Sequence, residues 1–149
     1  MRAITLLFGM LLALSSPVQG DAPDRLMAQF RQALQQRDGA AVAALFAPDA
    51  SVKVTLLMDQ EAPMVVSLTR AEYLQQQRAL WNFASDYSFM MDNPHKQQTG
   101  LGWQLTFNQQ ERYRLFQDSL IRDNRITLHT EMRDGKSLIT AIHTRTRQK

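Results

Sequence analysis

The chain has 149 residues, 21% of them charged, and contains no cysteine. Without Arg2, 16 basic residues stand against 14 acidic ones, a net charge of +2. This near balance argues against a nucleic-acid-binding protein, and the absence of cysteine excludes disulfides and a lipid-modified N-terminal cysteine. The chain after residue 20 has the length of one domain, which must be stabilised by its hydrophobic core.

The first 20 residues have the pattern of a cleavable export signal. Arg2 precedes an apolar run from Ala3 to Leu14, and small residues lead up to Gly20. The run is shorter than the roughly 20 apolar residues that cross a membrane. We therefore expect a signal peptide at 1–20, a mature domain at 21–149 without a stable membrane anchor, and a periplasmic or secreted location.

Two helices are predicted at the start of this domain. Asp21 and Pro23 favour a helix start. Apolar residues then recur at helical spacing: Leu26, Met27, Phe30, Ala33 and Leu34. Asp38-Gly39 ends this helix, and Asp38 caps a second one that stops at Pro48.

A hairpin and a third helix follow. The apolar period changes to two, which predicts strands at 51–58 and 64–68 joined by a turn at 59–63. Thr69-Arg-Ala-Glu72 fits a capping box and opens a helix that carries Tyr73 and Trp81 on one side.

Everything after Asp86 is predicted to be strand. One straight strand from Trp103 to Arg122 would span about 66 Å at roughly 3.3 Å per residue, more than this domain can hold. The chain therefore bends at 108–110, or turns back at 117–119 or at Asp123-Asn124. If the alternation that starts at Trp103 is unbroken, Glu111 faces inward.

The last hairpin turns at Asp134-Gly135, which suits a type I′ turn. Uninterrupted pairing places His143 on the core face with Ile126 and Leu128. The opposite face then carries Thr127, His129, Glu131, Leu138, Thr140 and Ile142. That face is apolar enough to predict a homodimer through the sheet.

This order resembles the nuclear transport factor 2-like superfamily, which includes SnoaL-like and ketosteroid isomerase-like proteins. The likeness rests on Phe30-Arg-Gln-Ala-Leu34, Arg37-Asp-Gly-Ala40 and, above all, the segment from Val42 to Val52. It implies an α+β cone in which a curved antiparallel sheet wraps three helices, in the order α-α-β-β-α-β-β-β-β, with a pocket at the wide end.

The isomerase residues of that superfamily are not present. The resemblance places a tyrosine where this chain has Phe30 and an aspartate base where it has Val54. The aspartate that the resemblance implies on the strand before the last hairpin is also missing, because 126–132 offers only Glu131. Without a base and hydrogen-bond donors, the isomerase reaction has no mechanism.

Few residues are candidates for metal binding, cofactor binding or acid–base catalysis. His129 and His143 are expected on opposite faces, so no metal site is predicted, and no motif indicates a cofactor. His143 or Glu111 remains as a lone acid or base, and His129 with Glu131 as a polar pair. An adaptable hydrophobic pocket that binds a ligand is also predicted, and its lining is Phe30, Leu34, Tyr73, Trp81, Trp103 and Tyr113.

Three functions remain open. The favoured one is an exported, non-catalytic protein that binds a small apolar or amphipathic ligand, or a protein partner. The second is a lyase or isomerase that uses His143 or Glu111 in the pocket. The third is a structural module of the cell envelope that dimerises through the sheet.

Overall fold

The computed structural model describes residues 21–149, so the predicted signal peptide lies outside the described residues. Its elements are α1 (Asp21–Gln35), α2 (Gly39–Ala44), β1 (Phe46–Leu57), β2 (Met64–Thr69), α3 (Arg70–Phe83), β3 (Ser85–Met91), β4 (His95–Gln98), β5 (Gly102–Leu115), β6 (Asp118–Arg133) and β7 (Lys136–Gln148). None of these helices is long and apolar enough to span a membrane.

The strands form one sheet in the order β2-β1-β7-β6-β5-β3, and β4 pairs with β5. The pair β1–β7 is parallel and the other pairs are antiparallel, so the sheet is mixed. It is curved and not closed, and it wraps three helices in the predicted order, with five strands after α3 rather than the predicted four and with one parallel pair where an antiparallel sheet was predicted. The α+β fold class is therefore confirmed.

Both predicted helix caps are present. The Asp38 carboxylate accepts a hydrogen bond from the backbone N–H of Ala41 at 3.0 Å. Thr69 and Glu72 form the reciprocal capping box at the start of α3. These caps place the apolar faces of the helices against the sheet, where Phe30, Val42, Leu105, Phe107, Leu128 and Ile139 are almost fully buried.

The residues from Gly102 to Arg133, in which polar and apolar side chains alternate, form two strands, β5 and β6. Strand β5 runs without a register shift to Leu115, and the chain reverses at Phe116-Gln117. The predicted reversal near 117–119 is thus confirmed, whereas 108–110 and Asp123-Asn124 lie inside strands. The alternation from Trp103 is unbroken, so Glu111 faces inward and is buried.

A β-bulge corrects the predicted faces of the last hairpin. Thr130 pairs with Ile139 but His129 pairs with Ala141, so Thr140 is an extra residue. The bulge moves Ile142 to the core face and His143 to the outer face, opposite Thr127. The prediction that His143 shares the core face was therefore wrong, and the outer face loses an apolar residue that had suggested a dimer.

Candidate functional site

The inner face of the sheet is polar beyond the hydrophobic core. Gln109 and Glu111 of β5 both face inward because β5 and β6 keep one register. Asn124 of β6 lies opposite Gln109, and Thr146 of β7 lies opposite Asn124. All four side chains are buried, so each of them needs hydrogen-bond partners within the protein.

Asn124 links these side chains across three strands. Its amide nitrogen donates to Gln109 Oε1 at 3.0 Å and to Glu111 Oε1 at 2.6 Å. Its amide oxygen accepts a hydrogen bond from the Thr146 hydroxyl at 2.8 Å. The asparagine therefore uses both ends of its amide and holds one oxygen of the Glu111 carboxylate.

Tyr87 and Arg122 complete the surroundings of Glu111. The Tyr87 hydroxyl donates to Glu111 Oε2 at 2.6 Å. Arg122 Nη1 lies 3.9 Å from Glu111 Oε1, and Arg122 Nη2 donates to the Tyr113 hydroxyl at 2.8 Å. We call Gln109, Glu111, Asn124, Thr146, Tyr87, Tyr113 and Arg122 the inner polar network.

The charge of Glu111 influences two tyrosines. Burial raises the pKa of Tyr87 well above its ordinary value, and the charge of Glu111 and the hydrogen bond to it raise this pKa further. Burial and the charge of Glu111 also raise the pKa of Tyr73. Both hydroxyls therefore stay protonated at neutral pH, and the Tyr87 hydroxyl acts as a hydrogen-bond donor to Glu111.

Each oxygen of the Glu111 carboxylate has a hydrogen-bond partner. A general base needs an oxygen that can reach the proton it removes. Here Tyr87 occupies one oxygen, Asn124 occupies the other, and only 4% of the residue is exposed. The inner polar network therefore joins the strands, and in this arrangement its carboxylate is closed to a substrate.

A separate cleft of about 660 Å³ opens at the far end of β5. It lies between the first turns of α1, the end of α2, the β4–β5 turn and the β6–β7 turn. Its apolar lining includes Leu26, Leu45, Leu101, Trp103, Met132 and Leu138. A volume of this order suits a small molecule.

Two cations line this cleft. Arg25 comes from α1 and Lys136 from the β6–β7 turn. Lys136 forms no ion pair with the side chains of residues 22–149. An apolar cleft with this positive charge is complementary to an amphipathic anion, and we call it the Trp103 cleft.

The Trp103 cleft and the inner polar network are far apart. Trp103 and Glu111 lie eight residues apart on one regular strand, which is roughly 26 Å at about 3.3 Å per residue. Glu111 does not line the cleft. A small ligand in the cleft therefore cannot contact that carboxylate.

The predicted aromatic lining is divided between these regions. Phe30 and Trp81 are buried in the hydrophobic core, and Tyr73 packs on Phe46 with 5.5 Å between ring centroids. Tyr113 belongs to the inner polar network, and Trp103 lines the cleft. Four of the five predicted side chains, all except Tyr113, thus lie in or against the hydrophobic core, and of the five only Trp103 lines the Trp103 cleft.

The histidines do not form a site with these residues. His143 and His129 lie on the same outer face, which corrects the prediction of opposite faces. His143 Nε2 lies 3.1 Å from Thr55 Oγ1. Glu131 accepts a hydrogen bond from Arg133 at 3.4 Å, and within residues 21–149 no hydrogen bond links it to His129.

Sequence reasoning missed Asn124, Tyr87 and Arg122. Asn124 was read as a possible turn residue, although its spacing of two from Ile126 was the signal of an inward position. Arg122, four residues before Ile126, carried the same signal, whereas Tyr87 carried none because its partner comes from another strand. The cleft was missed because turns that are distant in sequence form it.

No family model matches the sequence, and no curated protein matches it. Solved structures do match. A nuclear transport factor 2-like protein from Cytophaga hutchinsonii ATCC 33406 is 12% identical, with 86% of this chain and 98% of that chain covered and a TM-score of 0.66. The hexachlorocyclohexane dehydrochlorinase LinA-type3 from Novosphingobium barchaimii LL02 is 14% identical, with 85% of each chain covered and a TM-score of 0.66.

A third match is a ketosteroid isomerase-like protein from Erwinia carotovora atroseptica SCRI1043. It is 10% identical, with 88% of this chain and 98% of that chain covered and a TM-score of 0.60. Together these matches show that the chain has the nuclear transport factor 2-like fold, as the resemblance implied. Identities this low show the fold alone, since this fold carries several functions.

Proposed function

We propose that this protein is a non-catalytic binding protein that takes a small amphipathic anion into the Trp103 cleft. The observation that carries the proposal is the combination of an open apolar cleft with two cations, of which Lys136 forms no ion pair with any side chain of residues 22–149. The apolar part of the ligand packs on Trp103 and Leu101, and its anionic group meets Lys136 and Arg25.

The absence of catalysis in this proposal rests on Glu111. Its two oxygens are held by Tyr87 and Asn124, and the cleft lies roughly 26 Å away along β5. The position of the isomerase tyrosine also supports the absence of catalysis, because it is occupied here by Phe30, which is 1% exposed and has no polar side-chain atom that could contact a substrate.

Two fluorescent probes test the binding proposal. The anionic probe is 8-anilinonaphthalene-1-sulfonate, and the neutral one is N-phenyl-1-naphthylamine. Lys136→Gln should weaken binding of the sulfonate about three-fold, as expected for a partly exposed charge pair, and leave the neutral probe unchanged. Leu101→Ser should weaken both probes, and Leu101 is 72% exposed, so this change leaves the core intact.

Lys53→Gln is the matched control, because it removes one lysine charge from the exposed face of β1, outside the cleft. It should change neither dissociation constant. Equal sulfonate affinity in the wild type, Lys136→Gln and Leu101→Ser would refute binding in this cleft.

The proposal includes export. The basic Arg2, the apolar run to Leu14 and the small residues before Gly20 support it. Intact-mass analysis of the protein recovered from a periplasmic fraction should give a chain that starts at Asp21. A mass that includes residues 1–20, found only in the cytoplasmic fraction, would reject this part.

A second candidate is a lyase or isomerase that uses Glu111. The 2.6 Å bond between Glu111 and Tyr87 supports it, because it joins a buried carboxylate to a protonated phenol. One structural neighbour is named a dehydrochlorinase. This candidate requires the network to open, so hydrogen exchange of the Asn124 side-chain amide should be fast if it is correct and slow if the network is structural.

A further inference from the structure

The outer face of the sheet carries a second pocket. Two rows of side chains that are neighbours across the strands line it, where β3, β5, β6, β7 and β1 lie side by side. The first row contains Met90, Gln110, Asp123, Arg147 and Leu57, and the second contains Asn108, Arg125, Arg145 and Thr55. A shallow groove of about 780 Å³ runs here, with Arg125, Arg145 and Arg147 in its lining. We call it the arginine groove.

The acidic residues of the groove already have partners. Asp123 Oδ2 lies 2.7 Å from Lys149 Nζ, and its Oδ1 accepts a hydrogen bond from Gln110 at 2.9 Å. Asp92 accepts hydrogen bonds from the backbone and the side chain of Asn108 at 2.7 and 2.9 Å. Neither carboxylate forms an ion pair with an arginine of the groove, although Asp123 lies directly opposite Arg147 in the pairing of β6 with β7.

The three arginines have no ion pair within residues 21–149. Arg125 lies directly opposite Arg145 in the pairing of β6 with β7. Like charges that face each other across a strand pair are destabilising. The chain therefore keeps an unfavourable arrangement that an external anion would relieve.

Besides partial burial, the positive charge of Arg145 lowers the pKa of His143, which lies on the same outer face. Partial burial lowers the pKa of His143, and the charges of Lys53, Arg145 and His129 lower it further. Lys53 and His143 are paired across β1 and β7, one row from Arg145. The positive region thus continues along the outer face beyond the groove.

The spacing of the arginines matches an extended acidic chain. Arg145 and Arg147 are two residues apart on one face of β7, which is about 6.6 Å at roughly 3.3 Å per residue. Alternate side chains on one face of an extended peptide have the same spacing. Guanidinium groups bind carboxylates in a planar, bidentate geometry.

We propose that the arginine groove binds an extended acidic segment of a partner protein, with alternate carboxylates on Arg145 and Arg147. An apolar residue of that segment would pack on Met90, which is 67% exposed, or on Leu57. A second copy of this chain fits the face poorly, because a two-fold contact brings the same surface, and so the same charges, together.

The test uses a fluorescein-labelled peptide in which three glutamates alternate with threonines, measured by fluorescence anisotropy. A peptide with its three glutamates three residues apart has the same charge but places successive carboxylates on opposite faces of the extended chain, and it should bind about three-fold more weakly. The double variant Arg145→Gln/Arg147→Gln should weaken the alternating peptide about ten-fold, from two exposed charge pairs. Binding should disappear in 0.5 M salt, because charges at the surface are screened.

The matched control is Arg78→Gln/Arg114→Gln, which removes two exposed arginines that do not line the groove. It should bind the alternating peptide with unchanged affinity, and thermal melting confirms that both double variants are folded. Equal loss in the two variants, or equal affinity for the two peptides, would show a general charge effect and overturn the proposal.

Two further measurements can also overturn it. Vesicles of phosphatidylglycerol that bind through Arg145 and Arg147, while the peptide does not, would identify a membrane surface instead. A dimer in native mass spectrometry that Arg145→Gln/Arg147→Gln abolishes would make this face the predicted homodimer contact.

Discussion

Replacing Glu111 by glutamine tests whether the inner polar network is structural. The carboxylate accepts hydrogen bonds at 2.6 Å each from the hydroxyl of the half-buried Tyr87 and from the amide of the buried Asn124. A glutamine amide offers only one oxygen, so one of these donors must face an NH₂ group. Arg122, 3.9 Å away, also loses its counter-charge.

The expected loss of stability in Glu111→Gln follows from this unsatisfied hydrogen-bond donor. Leaving one buried polar group without a partner costs about 1–3 kcal/mol. We therefore expect Glu111→Gln to lower the free energy of unfolding by about 2 kcal/mol, which for a domain of this size is a fall in melting temperature of roughly 7 °C. Urea unfolding followed by circular dichroism measures the first quantity and thermal unfolding the second.

Two companion variants make the result interpretable. Glu131→Gln removes a carboxylate that is only partly buried and should change stability by less than about 0.5 kcal/mol. Tyr87→Phe with Glu111→Gln completes a double-mutant cycle, whose coupling energy should exceed about 0.5 kcal/mol because the two groups are in contact. A Glu111→Gln protein that is as stable as the wild type, or more stable, would refute the structural role and favour the lyase candidate, since functional sites commonly reduce stability.

Two further predictions concern a glycine and the tyrosines. A Cβ on Gly102 would clash with the backbone oxygen of Thr130, so Gly102→Ala should destabilise the protein by more than about 2 kcal/mol in urea unfolding, whereas Gly100→Ala, with no atom within 4 Å, should have almost no effect. The raised pKa of Tyr87 means that the unfolded chain loses its proton first as pH increases. Stability should therefore fall above pH about 10, the unfolded pKa, and Tyr87→Phe should show a smaller fall between pH 9 and 11.

Local patterns predicted most of the elements, because each depends on neighbouring residues. Asp38 caps α2, Thr69 and Glu72 cap α3, and Asp134-Gly135 turns the last hairpin. The inward position of Glu111 also follows from alternation, since β5 has no bulge.

The errors arose where the local pattern was interrupted. Ile139 and Ile142 are both buried although they are three residues apart, a spacing that a regular strand cannot place on one face. This pair was the signal of the bulge at Thr140. The parallel pairing of β1 with β7 had no comparable signal, because it joins residues about ninety positions apart.

The same long-range pairing explains why the candidate site could not be assembled from the sequence. Glu111 meets Tyr87 only because β3 and β5 are neighbours, and it meets Asn124 only because the chain reverses at Phe116. These contacts bury the Glu111 carboxylate and give each of its oxygens a hydrogen-bond partner. The inward position of Glu111 was predictable, but its access to a substrate depends on partners that only the folded sheet supplies, and the proposed binding function depends on that access.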